Sequence, residues 1–175
     1  MEPKEWMMNK NIVLKNQKLE ILKEQAEKEE NNLLVSLSDN EIFDYMVSKL
    51  NYCRRKMMGS CQDFNVNIRC GDICFIDFGN SYLYEIGYLH FGLILSIQRG
   101  KVFVVPITGS NTKVSGNKEH IMQLGKIEGM SKISACYLND AKWINSSRII
   151  DVKAHIPVDS ALYLSIKQRI HEGIG

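Results

Sequence analysis

The sequence lacks any long uninterrupted run of apolar residues. None of its apolar runs approaches the roughly 18 residues that a membrane-spanning helix needs. The N-terminus, MEPKEWMMNK, also lacks the continuous apolar segment and the small-residue cleavage site of a secretory signal. We therefore expect a cytosolic protein with no membrane partner.

Signals for a metal site are missing as well. The five cysteines are odd in number and contain no C-x-x-C pair, and the four histidines are scattered along the chain. A structural zinc site needs cysteines and histidines clustered at ligand spacing. We therefore expect free thiols, no metal and no cofactor.

A strong excess of charge of one sign is also lacking. The formal net charge of +2 is too small for composition alone to indicate a nucleic-acid-binding protein. Between residues 78 and 118, however, four basic residues stand against the single acid Glu85. A modestly positive surface around this segment is one interpretation, and ordinary solvated charges on turns are the other. The 45% apolar and 24% charged content is typical of a soluble globular protein.

Two amphipathic helices are predicted in the first 60 residues. Apolar residues recur every seven positions from Ile12 to Leu33, with Lys, Glu and Gln between them. Ser38 and Glu41 then match a capping box, which predicts the start of a second helix. Its basic end, residues 54–56, suits the negative end of the helix dipole, and contact of these residues with phosphate is the alternative. We predict that residues 1–60 form a helical hairpin.

The pattern changes to short extended runs in residues 61–175, which we predict to be a separate domain. The turn at Arg99-Gly100 joins two of these runs into a hairpin. Pro106 lacks an amide hydrogen, so we expect it at a sheet edge, a strand end or a bulge. A closing helix is predicted from about 159 to 171. The predicted strands are 73–78, 91–97, 101–107, 120–124, 132–138 and 149–152. This predicts an α+β fold, mainly β, with a small antiparallel barrel.

Five segments of the barrel region carry a resemblance to a known family. They are IRCGDI from Ile68, DFG from Asp77, GLILS from Gly92, VVPIT from Val104 and WINSSRI from Trp143. In their order and spacing, residues 66–152 resemble the MazF/PemK (Kid) type of toxin from bacterial toxin–antitoxin systems. The resemblance implies an SH3-like barrel that forms a homodimer. It also implies metal-independent cleavage of single-stranded RNA, and inhibition by a cognate antitoxin, which we expect to be a protein.

The resemblance also points to two catalytic residues. The family has an arginine before the second strand, in Gly-x-Arg-Pro, and a Thr or Ser at the end of the third. Thr108 matches the second position, whereas His90 stands where the arginine is expected and Phe91 replaces the proline. Histidine can transfer protons near neutral pH, since its reference pKa is about 6.5. Antiparallel pairing through the turn at Arg99 would bring His90 and Thr108 together.

Further candidates for RNA binding follow from the same resemblance and from residue chemistry. Arg69 and Arg148 match basic positions of the family, and each could instead be a surface ion-pair partner. Ser110 and Lys113 follow the third strand and could bond to phosphate or to base edges. Tyr84, in an unusually aromatic loop after the first strand, could stack on an unpaired base or pack against the barrel.

Two alternatives remain open at this point. His90 could be a structural strand residue in a catalytically inactive barrel that binds nucleic acid or protein, because fold alone does not determine function. The helical segment 1–60 could also bind a partner, or restrain the groove of the barrel.

Overall fold

The computed structural model describes residues 2–15, 19–109 and 119–174. The chain divides into two compact units, Met1–Phe43 and Asp44–Gly175. In the described part of the chain, no helix combines the length and the apolar character that crossing a membrane requires. The predicted domain boundary near residue 60 stays a prediction.

The first unit is helical. Helix α1 spans Pro3–Met8, α2 spans Lys10–Lys15 and α3 spans Leu19–Ser36. The indole nitrogen of Trp6 donates a hydrogen bond to Gln25 Oε1 at 3.1 Å, which ties α1 to α3. The predicted helical character of residues 10–35 is therefore seen as α2 and α3.

Helix α4, Asp39–Arg55, begins where the capping residues predict. The backbone amide of Ser38 donates to Glu41 Oε2 at 2.9 Å, and the Ser38 hydroxyl donates to the same oxygen at 2.6 Å. These hydrogen bonds stabilise the ionised carboxylate and lower the pKa of Glu41. The helix starts at the predicted position because its first backbone amides need such partners.

The described part of the second unit contains seven antiparallel strands followed by helix α5, Ala161–Ile174. Their order in the sheet is β4-β5-β3-β2-β1-β7, and β6 pairs with β3 outside this path. The described strands therefore form a sheet whose hydrogen-bonded path ends at β4 and β7, and the closed SH3-like barrel stays a prediction. The strands are β1 Asp72–Asp77, β2 Leu89–Gln98, β3 Lys101–Thr108, β4 Ile121–Gly125, β5 Ser134–Tyr137, β6 Lys142–Asn145 and β7 Ile149–His155.

Strand β3 pairs with three other strands. Its residues 101–107 pair with β2, its residues 101–104 pair with β6, and its residues 107–108 pair with β5. Pro106 therefore lies in the interval between the β6 and β5 ladders, where it has no register partner in either strand. This position is neither a sheet edge nor the end of the strand. The proline is accommodated because β6 pairs with β3 before it and β5 pairs with β3 after it, which local sequence does not show.

Two buried clusters lie on opposite sides of the sheet, because successive strand residues point to opposite faces. One contains Ile73 and Leu93 and is covered by Ile166 of α5, and the other contains Cys74 and Ile94. The Tyr163 hydroxyl adds a hydrogen bond to the Leu95 carbonyl oxygen at 3.0 Å. Full burial of a side chain such as Ile166 contributes roughly 1.5–3 kcal/mol.

The entry into β1 depends on Gly71. Its φ of +91° lies in a region that side chains disfavour. Its amide donates to the Ile94 carbonyl at 2.8 Å, and its carbonyl accepts from the Ile156 amide at 2.8 Å. A Cβ at this position would overlap the Ile156 carbonyl oxygen. Gly71 thus lets two chain segments approach as closely as these hydrogen bonds require.

Candidate functional site

A cleft of about 780 Å³ opens where β2 begins and where β3 meets β5. His90 at the start of β2, Thr108 at the end of β3 and Ser134 at the start of β5 all line it. Its apolar walls include Phe75 and Phe91, whose ring centroids are 5.3 Å apart. The two residues predicted to be catalytic therefore share one solvent-accessible cleft.

Sheet register accounts for this meeting of His90 and Thr108. The last pair between β2 and β3 is Phe91 with Ile107. Continuing this register by one residue along each strand would set His90 opposite Thr108. Residues directly opposite each other in antiparallel strands have Cβ atoms about 5 Å apart. Two side chains at that spacing can reach the same phosphate group.

The imidazole of His90 is held in a defined orientation. Its Nδ1 lies 2.8 Å from the Gly87 carbonyl oxygen. A carbonyl oxygen can only accept a hydrogen bond, so Nδ1 carries the hydrogen. In the neutral ring, Nε2 then carries the lone pair. This arrangement makes Nε2 the atom that can take up a proton.

The opposite wall of the cleft is more deeply buried. Thr108 is 9% exposed and pairs with Ala135 of β5, while Ser134 is fully buried. The Ser134 hydroxyl donates to the Lys132 carbonyl oxygen at 3.2 Å. This bond joins two residues of the segment that leads into β5, and Lys132 is also part of the lining of the cleft. Sequence analysis does not identify Lys132, because nothing in the sequence shows that its segment lies beside Thr108.

Arg148 lies at the base of the loop that joins β1 to β2. Its Nη1 donates to the Asp77 carbonyl oxygen at 3.1 Å. A Cβ built on Gly79 would lie 2.8 Å from the same nitrogen, so the guanidinium rests directly against this glycine. Arg148 is outside the lining of the cleft, although Asp77 is only one residue from Ile76, which pairs with His90.

A second arginine, which the sequence analysis assigns to the end of a helix, holds the segment around Arg148. Arg55 Nη1 donates to the carbonyl oxygens of Ser147 at 3.1 Å and of Ile149 at 2.8 Å. Its guanidinium carbon also lies 4.0 Å from the centroid of the Phe64 ring. Burial lowers the pKa of Arg55, and the Asp77 carboxylate acts in the opposite direction. Arg55 thus fixes the two residues that flank Arg148.

The structure places Arg69 at the other end of β1. Its Nε lies 3.6 Å from Asp72 Oδ1, and its side chain is 74% exposed. Asp72 and Asp77 begin and end the strand, and five residues of β-strand span about 17 Å. Arg69 is therefore not brought together with His90 and Thr108. Its predicted role in RNA binding stays a prediction.

Tyr84 lies in the loop between β1 and β2 and is 97% exposed, with a φ of +70°. The loop is closed at its base, because the Phe78 amide donates to the Tyr88 carbonyl and the Tyr88 amide donates to the Gly79 carbonyl, each at 2.7 Å. The aromatic ring is therefore presented to solvent rather than packed on the sheet. Two other predicted RNA-binding residues, Ser110 and Lys113, lie outside the described residues.

Comparison with solved structures identifies proteins with a similar fold. MazF (Form-I) from Deinococcus radiodurans superposes with a TM-score of 0.50 and 16% identity, over 62% of this chain and 96% of that chain. An endoribonuclease from Mycobacterial species gives a TM-score of 0.47 and 12% identity, over 63% of this chain and 94% of that chain. An endoribonuclease in complex with its cognate antitoxin, also from Mycobacterial species, gives a TM-score of 0.48 and 12% identity, over 62% of this chain and 96% of that chain.

No family model matches the sequence, and no curated protein matches it. At identities this low, structural likeness shows a shared fold. The chain has the fold of MazF-type toxins.

Proposed function

On the premise of this MazF-type fold, we propose that the protein is a toxin-like endoribonuclease that cleaves single-stranded RNA without a metal ion. The supporting observation is that His90 and Thr108, on neighbouring strands, line one cleft of about 780 Å³. His90, which stands where the family has an arginine, carries a group that can transfer a proton. Its Nδ1–H donates to the Gly87 carbonyl oxygen, which leaves the lone pair on Nε2.

The proposed reaction moves one proton and exchanges one bond at phosphorus. His90 Nε2 takes the proton of the ribose 2′-hydroxyl as the 2′-oxygen forms a bond to phosphorus. The bond between phosphorus and the 5′-oxygen then breaks, and the imidazolium gives its proton to that oxygen. The products are a 2′,3′-cyclic phosphate and a 5′-hydroxyl. Thr108 donates a hydrogen bond to a non-bridging oxygen and so orients the phosphate.

For RNA binding, we propose that Tyr84 stacks on an unpaired base, because its ring is exposed at the tip of the loop between β1 and β2. Arg148, at the base of that loop, would attract a phosphate of the same strand. Arg69 would contact a more distant phosphate, since it lies at the other end of β1. Ser110 and Lys113 remain proposed contacts for phosphate or base edges.

The biological setting is part of the same proposal. We propose that the protein acts in the cytoplasm as a homodimer and that a cognate protein antitoxin blocks the cleft. This proposal depends on the resemblance of residues 66–152 to MazF/PemK toxins. A closed SH3-like barrel belongs to the same proposal.

Cleavage of a long, unstructured RNA in the presence of EDTA tests the proposed function. We expect wild-type protein to produce fragments that end in a 2′,3′-cyclic phosphate. Removing one proton-transfer group lowers the rate typically 10²- to 10⁴-fold, so His90→Ala should lose at least about 10²-fold of the activity. His171→Ala is the matched control, because His171 is exposed on α5, and it should cleave like wild type.

Intact RNA after incubation with folded wild-type protein would contradict the proposal. If the RNA is bound but not cleaved, and His90→Ala binds equally well, the catalytically inactive binding module is the correct alternative. If cleavage requires added magnesium and stops in EDTA, the metal-independent mechanism is wrong. Equal cleavage by His90→Ala and wild type would remove His90 from the mechanism.

A further inference from the structure

A lysine that the proposed mechanism does not yet use lies in the same cleft. Lys132 lines the cleft together with His90 and Thr108. A Cβ built on Gly109 would lie 3.4 Å from both Cβ and Cδ of Lys132. The aliphatic stem of Lys132 therefore packs against the residue that directly follows Thr108. Lys132 therefore adds a positively charged side chain to the residues that line the cleft, next to the end of β3.

The charge of Lys132 is available to a ligand. The residue is exposed, and none of the described side chains forms an ion pair with it. Among the described residues that line the cleft, Lys132 is the one with a permanent positive charge. Arg148 and Arg55, in contrast, donate to backbone carbonyl oxygens away from the lining.

The backbone of Lys132 is also fixed, so its side chain starts from a defined point. The fully buried Ser134 donates its hydroxyl hydrogen to the Lys132 carbonyl oxygen at 3.2 Å. Ser134 is the first residue of β5, whose Ala135 pairs with Thr108. Lys132 thus lies two residues before a strand that pairs directly with Thr108.

We propose that Lys132 is a catalytic residue of the RNA cleavage proposed above, and this inference depends on that proposed function. Its ammonium contacts a non-bridging oxygen of the scissile phosphate. Attack by the 2′-oxygen adds negative charge to the phosphorus centre, so a fixed cation stabilises the transition state more than the bound substrate. In this arrangement His90 moves the proton and Lys132 supplies the positive charge.

The test compares steady-state cleavage of a short RNA by wild type, Lys132→Met and Lys126→Met. Methionine keeps an apolar stem to pack on Gly109 and removes the charge. Lys126 is exposed, follows β4 and does not line the cleft, so it is a matched control for lost surface charge. We expect Lys132→Met to lower kcat about 10²- to 10³-fold, the range found for removing one stabilising donor, with KM changed less than about threefold. Lys126→Met should leave both constants unchanged.

The outcomes separate this inference from the proposed function. If wild type cleaves, His90→Ala is inactive and Lys132→Met cleaves like Lys126→Met, the role of Lys132 is wrong and the proposed function stands. If Lys132→Met raises KM without lowering kcat, the lysine binds a non-reacting phosphate and the inference is also overturned. If wild type fails to cleave any RNA, the proposed function itself fails, and the role of Lys132 fails with it.

Discussion

The buried carboxylate of Asp77 should make the second unit sensitive to two side chains of α4. Asp77 is 3% exposed. Its Oδ2 accepts a hydrogen bond from Asn51 Nδ2 at 2.7 Å. Its Oδ1 accepts from the Ser48 hydroxyl at 2.8 Å and from the Gly79 amide at 2.9 Å. A buried carboxylate that loses such donors retains its desolvation penalty, so truncating them should lower the free energy of unfolding.

The magnitude follows from how many donors each oxygen keeps. A hydrogen bond to a charged group contributes about 1.5–3 kcal/mol, and replacing a helical Asn or Ser with Ala returns up to about 0.7 kcal/mol of helix propensity. Asn51→Ala removes the donor to Oδ2, so we expect a net loss of about 2 kcal/mol. After Ser48→Ala, Oδ1 still accepts from Gly79, so the expected loss is about 1 kcal/mol.

Urea unfolding followed by Trp143 fluorescence measures these losses in the sheet, if Trp6→Phe first removes the other tryptophan signal. The two α4 variants should also be made in an Asp77→Ala background, which lacks the carboxylate that Asn51 and Ser48 bond to. There Asn51→Ala and Ser48→Ala should no longer destabilise the protein. Wild-type-like unfolding of Asn51→Ala, within about 0.5 kcal/mol, would refute the reasoning. An equal loss in the Asp77→Ala background would refute it as well.

Three further predictions test the fold itself. Both Gly71 and Gly125 have positive φ, but of these two only Gly71 has a backbone carbonyl oxygen that a side chain would overlap. In urea unfolding, Gly71→Ala should therefore lower the free energy of unfolding by at least about 2 kcal/mol more than Gly125→Ala does. Equal losses would show that the segments at Gly71 can separate. In thiol labelling, exposed Cys53 should react quickly and buried Cys74 and Cys136 only on unfolding. Burial raises the pKa of Cys74 and Cys136 to about 12 from the ordinary 9.0. Above pH 9 these thiols therefore ionise more readily in the unfolded chain than in the folded one. The free energy of unfolding should fall as pH rises toward 12. Fast labelling of Cys136 in the native protein would contradict its placement in the core.

Local patterns were sufficient to predict the hairpin that frames the cleft. Two apolar runs of strand type and the Arg99-Gly100 turn between them predict β2 and β3, and both turn residues have the positive φ that such a turn needs, +46° and +77°. The start of β2 is less predictable from sequence. It begins at Leu89 rather than 91 because Leu89 pairs with Asp77 of β1, a partner that local sequence does not reveal. That extension places His90 within the strand.

Features that depend on distant partners were not predictable. Strand β6 has four residues with mostly polar or exposed side chains, and it exists because it pairs with the first half of β3. Arg55 fits the helix dipole in sequence, whereas in the structure it donates to carbonyl oxygens 92 and 94 residues away. Local sequence likewise does not identify Lys132 as a site residue, since its place in the cleft depends on its packing beside Gly109.

The triple pairing of β3 has a consequence for the order in which the chain folds. During synthesis the β2–β3 hairpin is complete at Thr108, whereas β5 and β6 begin 26 and 34 residues later, at Ser134 and Lys142. Until those strands arrive, one side of β3 is an unpaired edge, which invites aggregation with other chains. A proline within this edge interrupts its row of amide hydrogens and hinders such pairing. Pro106 would then protect the nascent chain at a position that has no register partner in β5 or β6 of the finished sheet.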